Sequence, residues 1–94
     1  MDIPGIAPPA QQLELVGRSL RELRQRQKLS REEVAQRAGM LPGDLLRIEK
    51  GEFRVSLDVL FNLLAQLRVS GEEFLRMLRT AQRHAEGRAE GRHG

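Results

Sequence analysis

Cysteine is missing from all 94 residues, which excludes disulfide bridges and thiolate metal sites. Tryptophan and tyrosine are missing too, and three phenylalanines are the only aromatic residues. A core must therefore come mainly from Leu, Val, Ile and Ala, which suits a small helical bundle forming one modest domain. No apolar run approaches membrane-spanning length, and the N-terminus lacks a basic stretch followed by an apolar one. The expectation is a soluble cytoplasmic protein with no membrane partner. Catalytic groups are equally scarce. The two histidines, His84 and His93, lie near the C-terminus with no catalytic neighbour in sequence. The pairs Glu32-Glu33 and Glu72-Glu73 are carboxylates at helix starts, favoured there by the helix dipole. No glycine-rich loop is built to cradle phosphate. No enzyme activity, cofactor or metal site is expected.

Lysine is rare, only Lys28 and Lys50, so the positive charge is carried by arginine. Net charge is +3 and the isoelectric point about 10.5. The guanidinium fork suits phosphates and guanine edges, and a mild basic excess is compatible with nucleic acid without requiring it.

The organising stretch is residues 30–51, SREEVAQRAGMLPGDLLRIEKG. Ser30 followed three residues later by Glu33 is a capping box and opens a helix. Val34, Ala35 and Ala38 give that helix one apolar face, and Gly39 ends it where a left-handed backbone is needed. Pro42 suits the first turn of a second helix, Leu45 and Ile48 supply its inner face, and Gly51 closes it. Ala35 is small enough to let the two helices cross closely. Leu41 stands at the second helix's N-cap without a capping side chain, and Asp44 partly compensates through the helix dipole.

Around this pair the chain reads as further helices. Residues 1–11 are rich in Pro and Gly and form a flexible arm. A first helix starts at 11 or 12 and runs to 27, with Leu13, Val16, Leu20 and Leu23 as its stripe. Arg18, Arg21, Arg24 and Arg26, followed by Lys28 and Arg31, make that end positive. The segment 52–55 is a loop. Ser56 caps a fourth helix over 57–67, whose apolar residues cover about 200° of its circumference, twice the ordinary stripe. Either the next helix or a second subunit must lie over the excess. Ser70 and Glu73 open a fifth helix running to about Glu86, with Phe74, Met77 and Leu78 on one face. The domain spans 12–86, and residues 87–94 are too polar and Gly-rich to be ordered.

Several of these residues, in this order, resemble the lambda-repressor-like, or Xre-type, helix-turn-helix family. They are Arg21-Glu22-Leu23-Arg24, Leu29-Ser30, Glu33-Val34-Ala35, Gly39, Arg47-Ile48-Glu49-Lys50-Gly51-Glu52, Ser56-Leu57, Leu60, Leu67, Val69-Ser70 and Phe74-Leu75. The resemblance covers roughly residues 16–75. It implies an all-α, five-helix DNA-binding domain, here with an extended C-terminal helix. It also implies that the second helix of the pair enters the major groove of double-stranded DNA. The positions facing DNA are then Leu41, Pro42, Gly43, Asp44, Leu46 and Arg47, with Arg31, Lys50 and Arg54 near the phosphates. Arg47 can fork onto guanine, Asp44 can accept from cytosine's amino group, and Leu41 or Leu46 can touch thymine methyls. Gly43 permits close approach.

This set departs from the family's habit of Gln, Ser, Thr, Asn or Arg at base-facing positions. Two functions stay open on the sequence alone. One is a transcriptional regulator binding a near-palindromic site as a homodimer, with Phe61, Leu64, Phe74 and Leu78 in the dimer interface. The other is an antitoxin-like or adaptor module that keeps the fold, lacks base readout, and binds a protein partner either through the fifth helix or through a leucine-rich face that includes Leu41 and Leu46, with Phe53 and Phe61 as candidate members.

Overall fold

The computed structural model describes the backbone of residues 9–91 and the side-chain surroundings of residues 10–84. The described residues form five helices and no strand: α1 (Pro9–Arg26), α2 (Arg31–Ala38), α3 (Pro42–Glu49), α4 (Leu57–Gln66) and α5 (Gly71–Gly91). α1 packs on α3 and α5, while α2 packs on α3 and α4. Every helix contributes to one core. Leu20 and Leu23 enter from α1, Val34 and Ala35 from α2, and Leu45 and Ile48 from α3. Leu63, Leu64 and Leu67 close it at α4, and Phe74 at α5. An aliphatic core with one aromatic plug is what the amino-acid usage requires.

The helix ends follow local chemistry. Ser30 accepts from the Glu33 N–H at 3.0 Å and Glu33 accepts from the Ser30 N–H at 3.2 Å, which completes the capping box. Ser56 and Ser70 accept from the N–H groups of Val59 and Glu73. The C-terminal ends of α1 to α4 share one device. A residue with left-handed backbone follows each helix, and two back-directed N–H bonds satisfy its last carbonyls. At α2 and α3 that residue is Gly39 and Gly51; at α1 and α4 it is Lys28 and Arg68, with φ of 57° and 58°.

Two ends differ from the sequence reading. Pro9 and Ala10, assigned above to the arm, open the first turn of α1 ahead of the expected start at 11 or 12, because a proline's fixed φ and missing N–H suit the first helical position. Residues 1–8 lie outside the described residues. α5 passes Glu86 and stays helical through Gly91. Arg, Ala and Glu around Gly87 are strong helix formers, and a single interior glycine costs about 1 kcal/mol, too little to end a long helix. Residues 92–94, His93 among them, lie outside the described residues; His84 is exposed on α5.

α1 and α3 cross closely at Gly17. A Cβ there would lie 2.6 Å from the Glu49 carbonyl oxygen and collide with that of Ile48. Side-chain amides tie other ends together: Asn62 donates to the Ala38 carbonyl at 2.8 Å, and Gln27 to the Leu67 carbonyl at 2.6 Å.

Candidate nucleic-acid interface

The turn between α2 and α3 is short because each residue in it is suited to its backbone. Gly39 takes φ +71°, and Met40 donates back to the Ala35 carbonyl at 2.9 Å. Leu41 is extended and makes no side-chain cap, as its hydrocarbon dictates. Pro42 then starts α3. Ala35 is fully buried where the helices cross. The Glu33 carboxyl in the α2 capping box is held below its ordinary range. The hydrogen bond from the Ser30 backbone is the main cause, followed by that with the Ser30 side chain, with a smaller contribution from Arg37's charge.

α3 has two distinct sides. Leu45, Ile48 and Glu49 face inward and are buried. Leu41, Pro42, Gly43, Arg47 and Lys50 are exposed, with Leu41 at 68%; Asp44 and Leu46 are half-buried. Positions 43, 46, 47 and 50 recur at i, i+3, i+4 and i+7, so they share one outer face. Asp44 lies in the first turn, where a carboxylate complements the helix dipole. Arg54 is exposed in the loop beyond.

Glu49, the last residue of α3, locks this orientation. Its carboxylate is almost fully buried. Arg24 of α1 forks onto it, Nε to Oε2 at 2.7 Å and Nη2 to Oε1 at 3.0 Å, and donates a third bond to the Leu29 carbonyl at 3.0 Å. Arg31, at the start of α2, donates to Oε1 through Nε at 3.3 Å and Nη2 at 3.2 Å. One carboxylate therefore joins three helices. Burying charge is unfavourable unless every group is paired, and here the bidentate geometry supplies the pairing. Arg31, expected near phosphate, is thus half-buried and already engaged, which leaves part of its guanidinium for an anion.

The α3 C-terminus ends in a double turn. Gly51 donates to the Ile48 carbonyl at 3.0 Å and Glu52 to the Arg47 carbonyl at 2.9 Å. The chain then brings Phe53 beside Arg47, whose guanidinium carbon lies 5.5 Å from the ring centroid. On α1, Arg18, Arg21 and Arg26 are exposed, as is Lys28 just past its end, while Arg24 is turned inward.

The expected dimer residues separate. Leu64 and Phe74, each 2% exposed, belong to the protomer's own core because both face the other helices. Leu78 is half-buried against that core. Phe61 is 56% exposed, and Leu57 and Leu75 are also exposed. α5 therefore covers only part of the wide apolar arc of α4. Among the described residues no group of three or more His, Asp or Glu side chains is arranged to hold a metal, and no helix is long and apolar enough to cross a membrane.

Two short helices crossing through a glycine turn, the second exposed along one face and anchored along the other, define a helix-turn-helix DNA-binding domain. The family model described as a helix-turn-helix domain matches residues 15–77. The chain belongs to the lambda-repressor-like, Xre-type helix-turn-helix family. Among solved structures, the chain is similar to the restriction-modification controller protein C.AhdI from Aeromonas hydrophila, with 31% identity and a TM-score of 0.66 over 68% of this chain and 97% of that one. The clp gene regulator ClgR from Corynebacterium glutamicum shares 23% identity over 88% of each chain, with a TM-score of 0.82. An HTH_3 family transcriptional regulator from Vibrio cholerae shares 25% identity over 73% of this chain and 39% of that one, with a TM-score of 0.68. No curated protein matches the sequence significantly.

Sequence reasoning missed Glu49 as the anchor and Gly17 as a contact point. A signal for the first was present. Glu49 stands four residues after Leu45 on the inner stripe of α3, and Arg24 follows Leu20 by the same step on α1. An acid and a base on two apolar stripes call for each other.

Proposed function

We propose that this protein is a transcriptional regulator that binds a near-palindromic site on double-stranded DNA as a homodimer, with α3 in the major groove. The observation that carries this reading is the two-sided α3: its inner face is tied down by Glu49, and Gly43, Arg47 and Lys50 lie exposed along its outer face. Arg47 forks onto a base edge, and one good fork is worth about 1–3 kcal/mol of discrimination. Lys50 and Arg54 neutralise phosphates, and Arg31 adds the part of its guanidinium that Glu49 leaves free. At Gly43 a Cβ would meet nothing of the protein within 4 Å, so the bare backbone is open to close approach by DNA. Leu41 and Leu46 suit thymine methyls, and Asp44 suits a cytosine amino group.

One fork per protomer gives little selectivity, which favours two copies acting together. The exposed apolar residues support such a pair. Leu57 and Phe61 are one turn apart on α4, and Gly71 and Leu75 are one turn apart on α5. The Phe61 ring lies against Gly71, where a Cβ would be 3.4 Å from Cε1. This surface, extended by Leu78, replaces the interface through Leu64 and Phe74. A two-fold pair through it presents two α3 helices to half-sites about one DNA turn apart.

Selection of bound fragments from a random DNA pool tests the reading. Enrichment of an inverted repeat is the expected result. Failure to retain any DNA at low salt would instead favour the protein-interaction module, in which the exposed Leu41 tip meets a partner.

A further inference from the structure

Phe53 is a large apolar side chain outside the core, 39% exposed in the loop after α3. The backbone holds it there. The double turn through Gly51 and Glu52 folds the chain back over the last turn of α3. Gly51 takes φ +77°, and a Cβ on it would lie 2.9 Å from the backbone N and Cα of Glu14 in α1, so the turn is wedged against a second helix. The loop leaves this turn at a defined place, and that place puts the Phe53 ring under the Arg47 guanidinium. At 5.5 Å the contact is a cation–π attraction between the guanidinium charge and the ring. It supplies no acceptor oxygen to the guanidinium, so the donor fork can still bind a base edge.

We propose that Phe53 is a positioning residue for base readout: its ring holds Arg47 ready for a guanine edge. This rests on the reading of α3 as the helix that meets DNA. A long arginine side chain loses much rotamer freedom when it forks onto a base, and a ring that already restricts it lessens that loss. An exposed cation–π contact has a strength equivalent to about a two- to fivefold change in affinity.

The test uses the full chain, a fragment selected from random DNA, and mixed-sequence DNA. Affinities for both DNAs are measured for the wild type, Phe53→Leu, Phe53→Tyr, Arg47→Ala, and Phe53→Leu combined with Arg47→Ala. The proton shifts of the Arg47 side chain are followed by NMR in the free protein. Phe53→Leu should weaken the selected site two- to fivefold and leave mixed DNA and the salt slope unchanged. Phe53→Tyr should restore the affinity, and Phe53→Leu should have no further effect once Arg47 is alanine. The ring-current shift of Arg47 should be present in the wild type and lost in Phe53→Leu. Equal weakening on both DNAs, or an effect that persists without Arg47, would overturn the role of Phe53 while leaving α3 as the reader. Unchanged preference in Arg47→Ala would overturn the α3 reading itself, whatever the NMR shows, and the proposal with it.

Discussion

Gly17 and Gly43 both lie inside helices, and a methyl group would act oppositely on them. In an open helix, Gly→Ala adds about 1 kcal/mol of stability. At Gly17 the new carbon would overlap the carbonyl oxygens of Ile48 and Glu49, both backbone atoms of a packed helix. Gly17→Ala should therefore lower the stability measured by urea unfolding, by about 1–3 kcal/mol as for other overpacked sites. An increase would mean that α1 and α3 do not cross where described. At Gly43 the added carbon meets no other group. Gly43→Ala should raise stability by about 0.5–1 kcal/mol, and it should weaken DNA binding. A more stable variant that binds as tightly would remove Gly43 from the interface. Glu49 poses the third residue-scale question. Truncating it leaves Arg24 buried without its carboxylate, so Glu49→Ala should lose about 3–5 kcal/mol. Changing both residues to Met should recover much of that. A loss near zero for Glu49→Ala would show that the buried pair does not hold α3 in place.

At the scale of elements, what could be read from the sequence was whatever is decided within four or five residues. The capping box at Ser30, the stop at Gly39, the start at Pro42 and the cap at Ser56 each involve near neighbours, and each is present in the fold. The start of α1 was harder, because Pro9 can equally end an arm or begin a helix, and packing of the helix behind it decides. The links Arg24–Glu49 and Gln27–Leu67 join residues 25 and 40 positions apart; spacing places Arg24 and Glu49 each on an apolar stripe, but it does not say which charge meets which, and for Gln27 it says nothing. The same holds for the candidate interface: the face of α3 follows from spacing, whereas the cation–π contact of Arg47 with Phe53 depends on where the loop returns. Lys28 and Arg68 were also hidden, since a left-handed stop normally shows itself as glycine. They make a prediction at this scale. A side chain with φ near 58° is strained, so Arg68→Gly should raise the unfolding free energy by about 1 kcal/mol. A decrease would mean that the arginine side chain supports the α4–α5 turn in some other way.

At the scale of the whole molecule, the sequence showed that α4 carries more apolar surface than one stripe, without showing where the excess goes. The fold divides it. Leu63, Leu64 and Leu67 turn inward, and Leu57 and Phe61 are left outside, as is Leu75 on α5. Burying a large side chain of this kind on association is worth about 1.5–3 kcal/mol. A dimer at micromolar concentration is therefore expected in sedimentation, and Phe61→Asp should yield a monomer with unchanged helical content. A wild-type monomer would rule out the paired arrangement. Arg47 is the one arginine on α3 and is exposed, so on the proposed reading it decides whether the molecule reads sequence or only holds phosphate. The decisive measurement compares wild type and Arg47→Ala for affinity to a selected DNA fragment and to mixed DNA at two salt concentrations. The wild type should prefer the selected fragment, and Arg47→Ala should lose about tenfold or more on it, with little change on mixed DNA beyond the small salt-sensitive loss of one cation. Equal affinity of the wild type for both DNAs, or a preference that survives without Arg47, would contradict the assignment of α3 as the helix that reads DNA through this arginine.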